Sequence, residues 1–347
     1  MTGQATKPPI RIVVADDSPT ARALLVALCE SDPGITVVGE ATDGQQAIHL
    51  TQRLRPALVL MDVHMPGIDG IEATKTIMRQ CPTPIIMVTA GTTSNDVEPG
   101  LSAIRFGALQ VLPKPVGPGL DGHRQAADRL TSMVKALAEV KVVQRRGRIA
   151  AVGDIRPSAP GGIVAVAAST GGPPALCAFL QHLPRDLPVP VVVVQHLVAG
   201  FLPGLVTWLR AEVPFHVVQA EENQLLEPGS VYLASDARHL EVTARLRASY
   251  RDGPAVDGFR PSASVLFSSI ARNLGPSGMA VVLTGMGQDG LAGARELHRA
   301  GGRILAQDED TCAVYGMPRV VAEAGIVDRV GPVQELAALV AHDLRSS

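Results

Sequence analysis

Short apolar runs recur along this chain, and most of them end in a polar or glycine-rich cluster. In the first half, Ile10–Ala15 ends in Asp16 and Asp17, the run at 57–61 ends in Asp62, the run at 85–88 precedes Thr89, and Val111 and Leu112 precede Lys114 and Pro115. In the second half, Ile163–Ala168 enters Ser169, Thr170, Gly171, Gly172, Pro173 and Pro174, the run at 189–194 delivers Gln195 and His196, and the run at 279–283 leads into Thr284-Gly-Met-Gly-Gln-Asp289-Gly290. Runs that are apolar at every position suit strands buried on both faces, as in parallel sheets covered by helices. The pattern predicts an α/β protein built on parallel sheets, and 121–160, helical in spacing and then rich in Gly and Pro, reads as a helix and a flexible linker. A length of 347 residues is too long for one typical core and suits two. The halves share only this βα rhythm, without an internal repeat.

In open parallel sheets the groups that meet a ligand stand at the carboxyl ends of strands. The first half gathers three carboxylates, a hydroxyl and an ammonium there. Clustered carboxylates suit Mg2+, a hard cation that takes oxygen ligands, and a lysine beside them balances charge and reaches a phosphoryl group. The second half gathers Ser169, His196 and Asp289: a nucleophile, a base and an acid to orient it. Taken singly, a serine in a glycine-rich turn caps a helix, a histidine after a strand makes a structural hydrogen bond, and an aspartate between glycines turns the chain. Their arrival together is what points to chemistry. Ser169 stands before a helix start, where unpaired N–H groups can hold an oxyanion and prolines cost nothing. The chain order Ser, His, Asp and the segment AASTGG depart from the α/β-hydrolase elbow, so a different hydrolase scaffold is implied.

The motifs carry a family resemblance, which implies two doubly wound parallel-sheet domains, at 10–130 and 161–347, joined over 131–160 by a helical and flexible linker. Residues 10 to about 130 resemble a response-regulator receiver, CheY-like in fold, through VVADDS, LVLMDVHMPGIDG, MVTA and LPKP. Residues 161–347 resemble the catalytic domain of the chemotaxis protein-glutamate methylesterases, the CheB family, through AASTGGPPAL, VVVVQHL, GFRPSASVLFSSIA, VVLTGMGQDGLAG and AQDEDTCAVYGMPR. The resemblance implies Asp62 as phosphoacceptor, Asp16, Asp17 and Asp62 around Mg2+, Thr89 as switch hydroxyl and Lys114 as the phosphoryl-contacting lysine. It implies Ser169 as nucleophile, His196 as general base and Asp289 as its orienting acid, with backbone N–H groups near Thr170 and Met286 as oxyanion donors and no cofactor for the hydrolysis. The implied reaction is release of methanol from glutamate methyl esters of methyl-accepting chemoreceptors, with glutamine deamidation as a related activity. A chemotaxis-type histidine kinase would phosphorylate Asp62, changing a receiver surface that otherwise covers or restrains the Ser169 cleft.

Three positions depart from the family pattern. Val111 stands where receivers commonly carry an aromatic that changes rotamer, which weakens coupling by that route. Phe259 and Ser264 stand where the family motif has His and Asp, so FRPSAS keeps Arg260 and Pro261 but is expected to lose a polar contact. His239 is expected to be structural, as isolated histidines usually are.

Composition narrows the partners. A net charge of −2 and 3% aromatics offer neither a nucleic-acid surface nor a base-stacking platform, and a compact basic helix-turn-helix pattern is lacking. The basic residues at 141–148 follow helical spacing and read as a solvated face. Cys29, Cys81, Cys177 and Cys312 show no metal spacing and fit reduced, mostly buried thiols of a cytoplasmic protein. The N-terminus lacks an apolar signal core and no run approaches membrane-spanning length, so membrane association is expected only through a receptor. A phosphorylated adaptor without catalysis is the main rival, and the complete Ser169, His196 and Asp289 set argues against it.

Overall fold

A computed structural model describes residues 8–90, 94–138, 140 and 162–345. The chain divides into two compact units, Met1–Gln144 and Arg145–Ser347.

The first unit alternates strand and helix throughout: β1 Ile10–Ala15, α1 Pro19–Glu30, β2 Ile35–Ala41, α2 Gly44–Leu54, β3 Leu58–Asp62, α3 Gly70–Gln80, β4 Ile85–Thr89, α4 Ser94–Arg105, β5 Gln110–Pro113 and α5 His123–Leu137. Its strands form one parallel sheet in the order β2-β1-β3-β4-β5. β3 and β4 are buried at every position, as a parallel sheet covered on both faces requires. Local chemistry sets the helix starts: Ser18, Asp43 and Asp69 each cap a helix by accepting from a first-turn N–H. The strand order reverses direction between β1 and β3, so Asp16 and Asp17 beyond β1 and Asp62 at the end of β3 flank one switch point. The helical part of the expected linker is the end of α5, which carries its residues 131–137. Most of the remaining linker, with the basic residues at 141–148, lies outside the described residues.

The second unit contains β6 Ile163–Ala168, α6 Gly172–His182, β7 Val191–Gln195, α7 Leu202–Glu212, β8 His216–Gln219, β9 Ser230–Leu233, β10 His239–Val242, β11 Ala248–Arg251, α8 Ala263–Asn273, β12 Gly278–Val282, α9 Leu291–Arg299, β13 Arg303–Gln307, α10 Met317–Glu323, β14 Arg329–Gly331 and α11 Val333–Arg345. Seven strands make a parallel sheet in the order β14-β13-β12-β6-β7-β9-β8, and β10 and β11 pair separately as an antiparallel hairpin. β7 begins at Val191 rather than at 189, because Pro190 has no N–H to give the ladder. β6, β7, β12 and β13 are buried throughout. On one face they pack with α8, α9, α10 and the hairpin in a core that includes Phe267, Leu266, Ile270, Met317 and Leu240. From β6 the chain leaves one way to β7 and returns on the other side at β12, so the second switch point lies between β6 and β12. Among the described residues no helix is long and apolar enough to cross a membrane.

Candidate functional sites

At the first switch point Asp16, Asp17 and Asp62 present carboxylate oxygens within 4.8 Å of one another. Asp16 and Asp62 are buried and Asp17 is exposed, so the cluster has a solvent side. Lys114 Nζ lies 2.8 Å from Asp16 Oδ2 and 2.8 Å from Asp62 Oδ2. Its backbone N–H donates to the Thr89 carbonyl at 2.7 Å, tying the lysine to the end of β4. Burial lifts the Asp62 carboxyl above its usual range, against the pull of Lys114. Burial works to lower the Lys114 ammonium, but its bonds to Asp16 and Asp62 win and raise it. The donor set is all oxygen and carries excess negative charge, which fits a hard divalent cation. Thr89, fully buried, closes this end of the sheet. Val111 is buried in β5 opposite Met87 and supplies no aromatic rotamer.

At the second switch point Ser169 and His196 follow the last register pair of neighbouring parallel strands, Ala168 and Gln195. The His196 N–H donates to the Ala168 carbonyl at 2.9 Å, and the Ser169 N–H donates to the Thr284 carbonyl beyond β12 at 3.0 Å. Gly171 caps α6 with φ +70°, a left-handed conformation that suits glycine, and a Cβ there would stand 2.3 Å from Ala313 Cβ. Gly285 presses against the serine, since a Cβ on it would lie 2.7 Å from Ser169 Cβ. Met286, the next residue, therefore sits at the rim of the site.

Asp289, wholly buried, bonds the imidazole directly: His196 Nε2 donates to Asp289 Oδ2 at 2.8 Å. The same oxygen accepts from the Ala263 N–H at 2.7 Å. Asp289 Oδ1 accepts from the Ser262 hydroxyl at 2.6 Å, the Ser264 N–H at 3.0 Å and its neighbour Gly290 N–H at 2.9 Å. Burial alone would raise this carboxyl, but the bond and charge of His196 with the Ser262 and Ser264 donors hold it below the usual range. With Nε2 committed to Asp289, the nitrogen left for a proton is His196 Nδ1, which is buried and has no hydrogen-bond partner. The acid thus binds the opposite ring nitrogen from that of the trypsin-like triad.

Sequence reasoning did not find what surrounds the imidazole. Phe259 stacks on His196 with ring centroids 3.8 Å apart and planes within 4°. Ser264, expected to have lost a polar contact, instead accepts from the Gly290 N–H at 2.8 Å and so braces the turn that carries Asp289. Ser262 had one legible signal, a serine just before an apolar helical run, which marks a helix cap. His239 is structural, as expected, with Nε2 donating to the Pro254 carbonyl at 2.9 Å and Nδ1 accepting from the Ser262 N–H at 3.2 Å. A pocket beside the imidazole is lined by Gln195, His196, Leu202, Phe259, Arg260 and Pro261, among others.

Residues 164–340 match the family model of the CheB methylesterase and residues 12–120 that of the response regulator receiver domain. A protein-glutamate methylesterase/protein-glutamine glutaminase of Myxococcus xanthus is 50% identical over 352 residues, covering 98% of this chain and 98% of its own. The chain belongs to the CheB methylesterase family. A second methylesterase/glutaminase, from Anaeromyxobacter dehalogenans, is 46% identical over 92% of this chain and 95% of its own. The crystal structure of the Thermotoga maritima CheB methylesterase catalytic domain superposes with a TM-score of 0.52 at 34% identity, covering 53% of this chain and 99% of that one. The CheB methylesterase fold therefore carries the second switch point, and a response-regulator receiver carries the first.

Proposed function

We propose that this protein is a phosphorylation-activated serine hydrolase that removes methyl groups from glutamate γ-methyl esters of chemoreceptors. The observation that carries the reading is the buried His196–Asp289 bond beside Ser169, which leaves His196 Nδ1 free to accept a proton. Ser169 Oγ attacks the ester carbonyl while Nδ1 takes its proton. Backbone N–H groups of Thr170 and Met286 hold the tetrahedral oxyanion, each worth about 3 kcal/mol in comparable enzymes. The imidazolium, steadied by Asp289, returns the proton to the departing methoxide and methanol leaves an acyl-serine. Water then adds, deprotonated by the same nitrogen, and releases the glutamate carboxylate. A glutamine side chain would pass through the same acyl-serine with ammonia as the leaving group, in keeping with the double name of the relatives.

Control lies in the receiver, which we bound at 10–130, with 131–160 as the connection to a catalytic domain at 161–347. Asp62 accepts a phosphoryl group from a histidine kinase. Asp16, Asp17 and Asp62 would hold Mg2+, whose charge would offset that of a phosphoryl group on Asp62. Lys114, now 2.8 Å from each of two carboxylates, moves onto the phosphoryl oxygens, and Thr89 supplies the switch hydroxyl. Phosphorylation raises the esterase rate. A receptor substrate and a kinase partner assign the work to the cytoplasm.

A fluorophosphonate that traps activated serines tests the catalytic set. Mass spectrometry of the treated full chain is expected to find one adduct, on Ser169, that disappears in His196→Ala. Absence of that adduct, or equal labelling in the variant, would overturn the assignment.

A further inference from the structure

Behind the His196–Asp289 bond lies a second layer of buried polar groups. Ser262 is fully buried at the start of α8, the hairpin strand β10 brings His239 against it, and both are remote in sequence from Asp289. An ionised carboxylate only accepts, so the 2.6 Å contact fixes the direction: Ser262 Oγ–H donates to Asp289 Oδ1. Ser262 Oγ in turn accepts the Val265 N–H at 3.4 Å, which caps α8. The Ser262 N–H is spent on His239 Nδ1, and His239 Nε2–H on the Pro254 carbonyl. Every polar hydrogen in this chain of contacts therefore has one direction. The other groups on Asp289, apart from His196, are backbone N–H donors at 263, 264 and 290, which side-chain substitution leaves in place.

We propose that Ser262 is a positioning residue for the hydrolysis: with its backbone N–H held from behind by His239, its hydroxyl fixes the Asp289 carboxylate so that Oδ2 stays aimed at His196 Nε2. The inference rests on the Ser169, His196 and Asp289 assignment above. It gives the FRPSAS segment a role in the reaction beyond lining the groove, since Ser262 bonds the acid, Ser264 braces its turn and Phe259 stacks on the base.

The test measures methanol release by the full chain from a methylated chemoreceptor cytoplasmic fragment. Ser262→Ala is expected to lower kcat about 10- to 100-fold, the worth of one hydrogen bond to a charged group, with KM changed by less than about twofold. Ser262→Thr keeps the hydroxyl and should restore most of kcat. In Ser262→Ala the proton resonance of the His196 Nε2–H···Asp289 bond should shift upfield, because a looser carboxylate makes a weaker bond. On an Asp289→Asn background, Ser262→Ala should cost nothing further, since the group it positions is gone. Unchanged kcat in folded Ser262→Ala, or a further tenfold loss (about 1.4 kcal/mol) in the double variant, would overturn the proposal. If Ser262→Ala fails to fold, Ser262→Cys carries the test, a several-fold fall in kcat supporting the proposal and an unchanged kcat overturning it. An inactive Asp289→Asn beside a fully active Ser262→Ala would sink the positioning role alone, whereas a fully active Asp289→Asn would sink the catalytic assignment with it.

Discussion

Replacing Asp289 by Asn exchanges one acceptor oxygen for a two-donor nitrogen at a site where every neighbour donates. With the amide nitrogen at the Oδ1 position it would face the Ser264 and Gly290 N–H groups, both fixed in the backbone. With the nitrogen at the Oδ2 position it faces the Ala263 N–H and His196 Nε2. The second orientation wins, because the imidazole can answer by changing tautomer and the hydroxyl of Ser262 keeps its acceptor. The answer is costly for catalysis: Nε2 becomes the acceptor, Nδ1 takes the proton, and the base faces the serine already protonated. The same substitution in a serine protease lowers kcat by about 10⁴ through this tautomer, and a similar loss is expected here. The Ala263 N–H left without an acceptor costs about 1–3 kcal/mol, which for a unit of this size lowers its unfolding midpoint by about 2–12 °C. Stopped methanol-release assays and a thermal unfolding scan on Asp289→Asn read the two effects separately. A folded variant that keeps kcat within about tenfold of the wild type would refute the tautomer argument.

Gly285→Ala places a methyl group 2.5 Å from Met317 Sδ and 2.7 Å from Ser169 Cβ, so it should displace the nucleophile and cut kcat by at least tenfold (~1.4 kcal/mol), read in the same assay. Asp62→Asn removes a buried carboxylate whose pKa burial has raised, so the receiver should become more stable at neutral pH; the gain should fade as pH falls through the raised folded value toward about 4, below which both states are protonated, and urea titrations at neutral pH and below about 4 check it. Asp289 has the opposite sign: its depressed carboxyl stabilises the esterase unit above about pH 4, and that share is lost as pH falls through the folded value, so an acid unfolding curve should flatten in Asp289→Asn. Lys114→Met leaves Asp16 and Asp62 without their cation, and phosphorylation from a small phosphodonor should lose its coupling to esterase rate, measured with phosphorylated protein in hand.

Much of this architecture was legible because its central strands are buried on both faces and therefore read as unbroken apolar runs: β1 and β6 begin and end where the pattern places them. Edge and outlying strands left weaker traces. β2 is half-exposed, β8 holds only two valines between His216 and Gln219, and the β10–β11 hairpin mixes His239, Glu241 and Arg251 into its pairs, so none of them forms a long apolar run. The site residues were found from strand ends, since parallel topology brings those ends together whatever lies between them. Ser262, Ser264 and Phe259 were not found that way, because they reach the acid and the base from the start of α8 and the loop before it. The contacts of Ser262 and Ser264 with Asp289 and its turn cross more than twenty residues of chain and exist only once α8 packs against α9.

The central claim is that one chain couples phosphorylation of Asp62 to ester hydrolysis at Ser169. The most direct measurement is methanol release from methylated chemoreceptor cytoplasmic fragments, with and without Mg2+ and acetyl phosphate, by wild type, Ser169→Ala and Asp62→Asn. Release should vanish in Ser169→Ala, rise with the phosphodonor in the wild type, and stay at its basal level in Asp62→Asn. Release that survives Ser169→Ala, or a phosphodonor response that survives Asp62→Asn, would contradict the account.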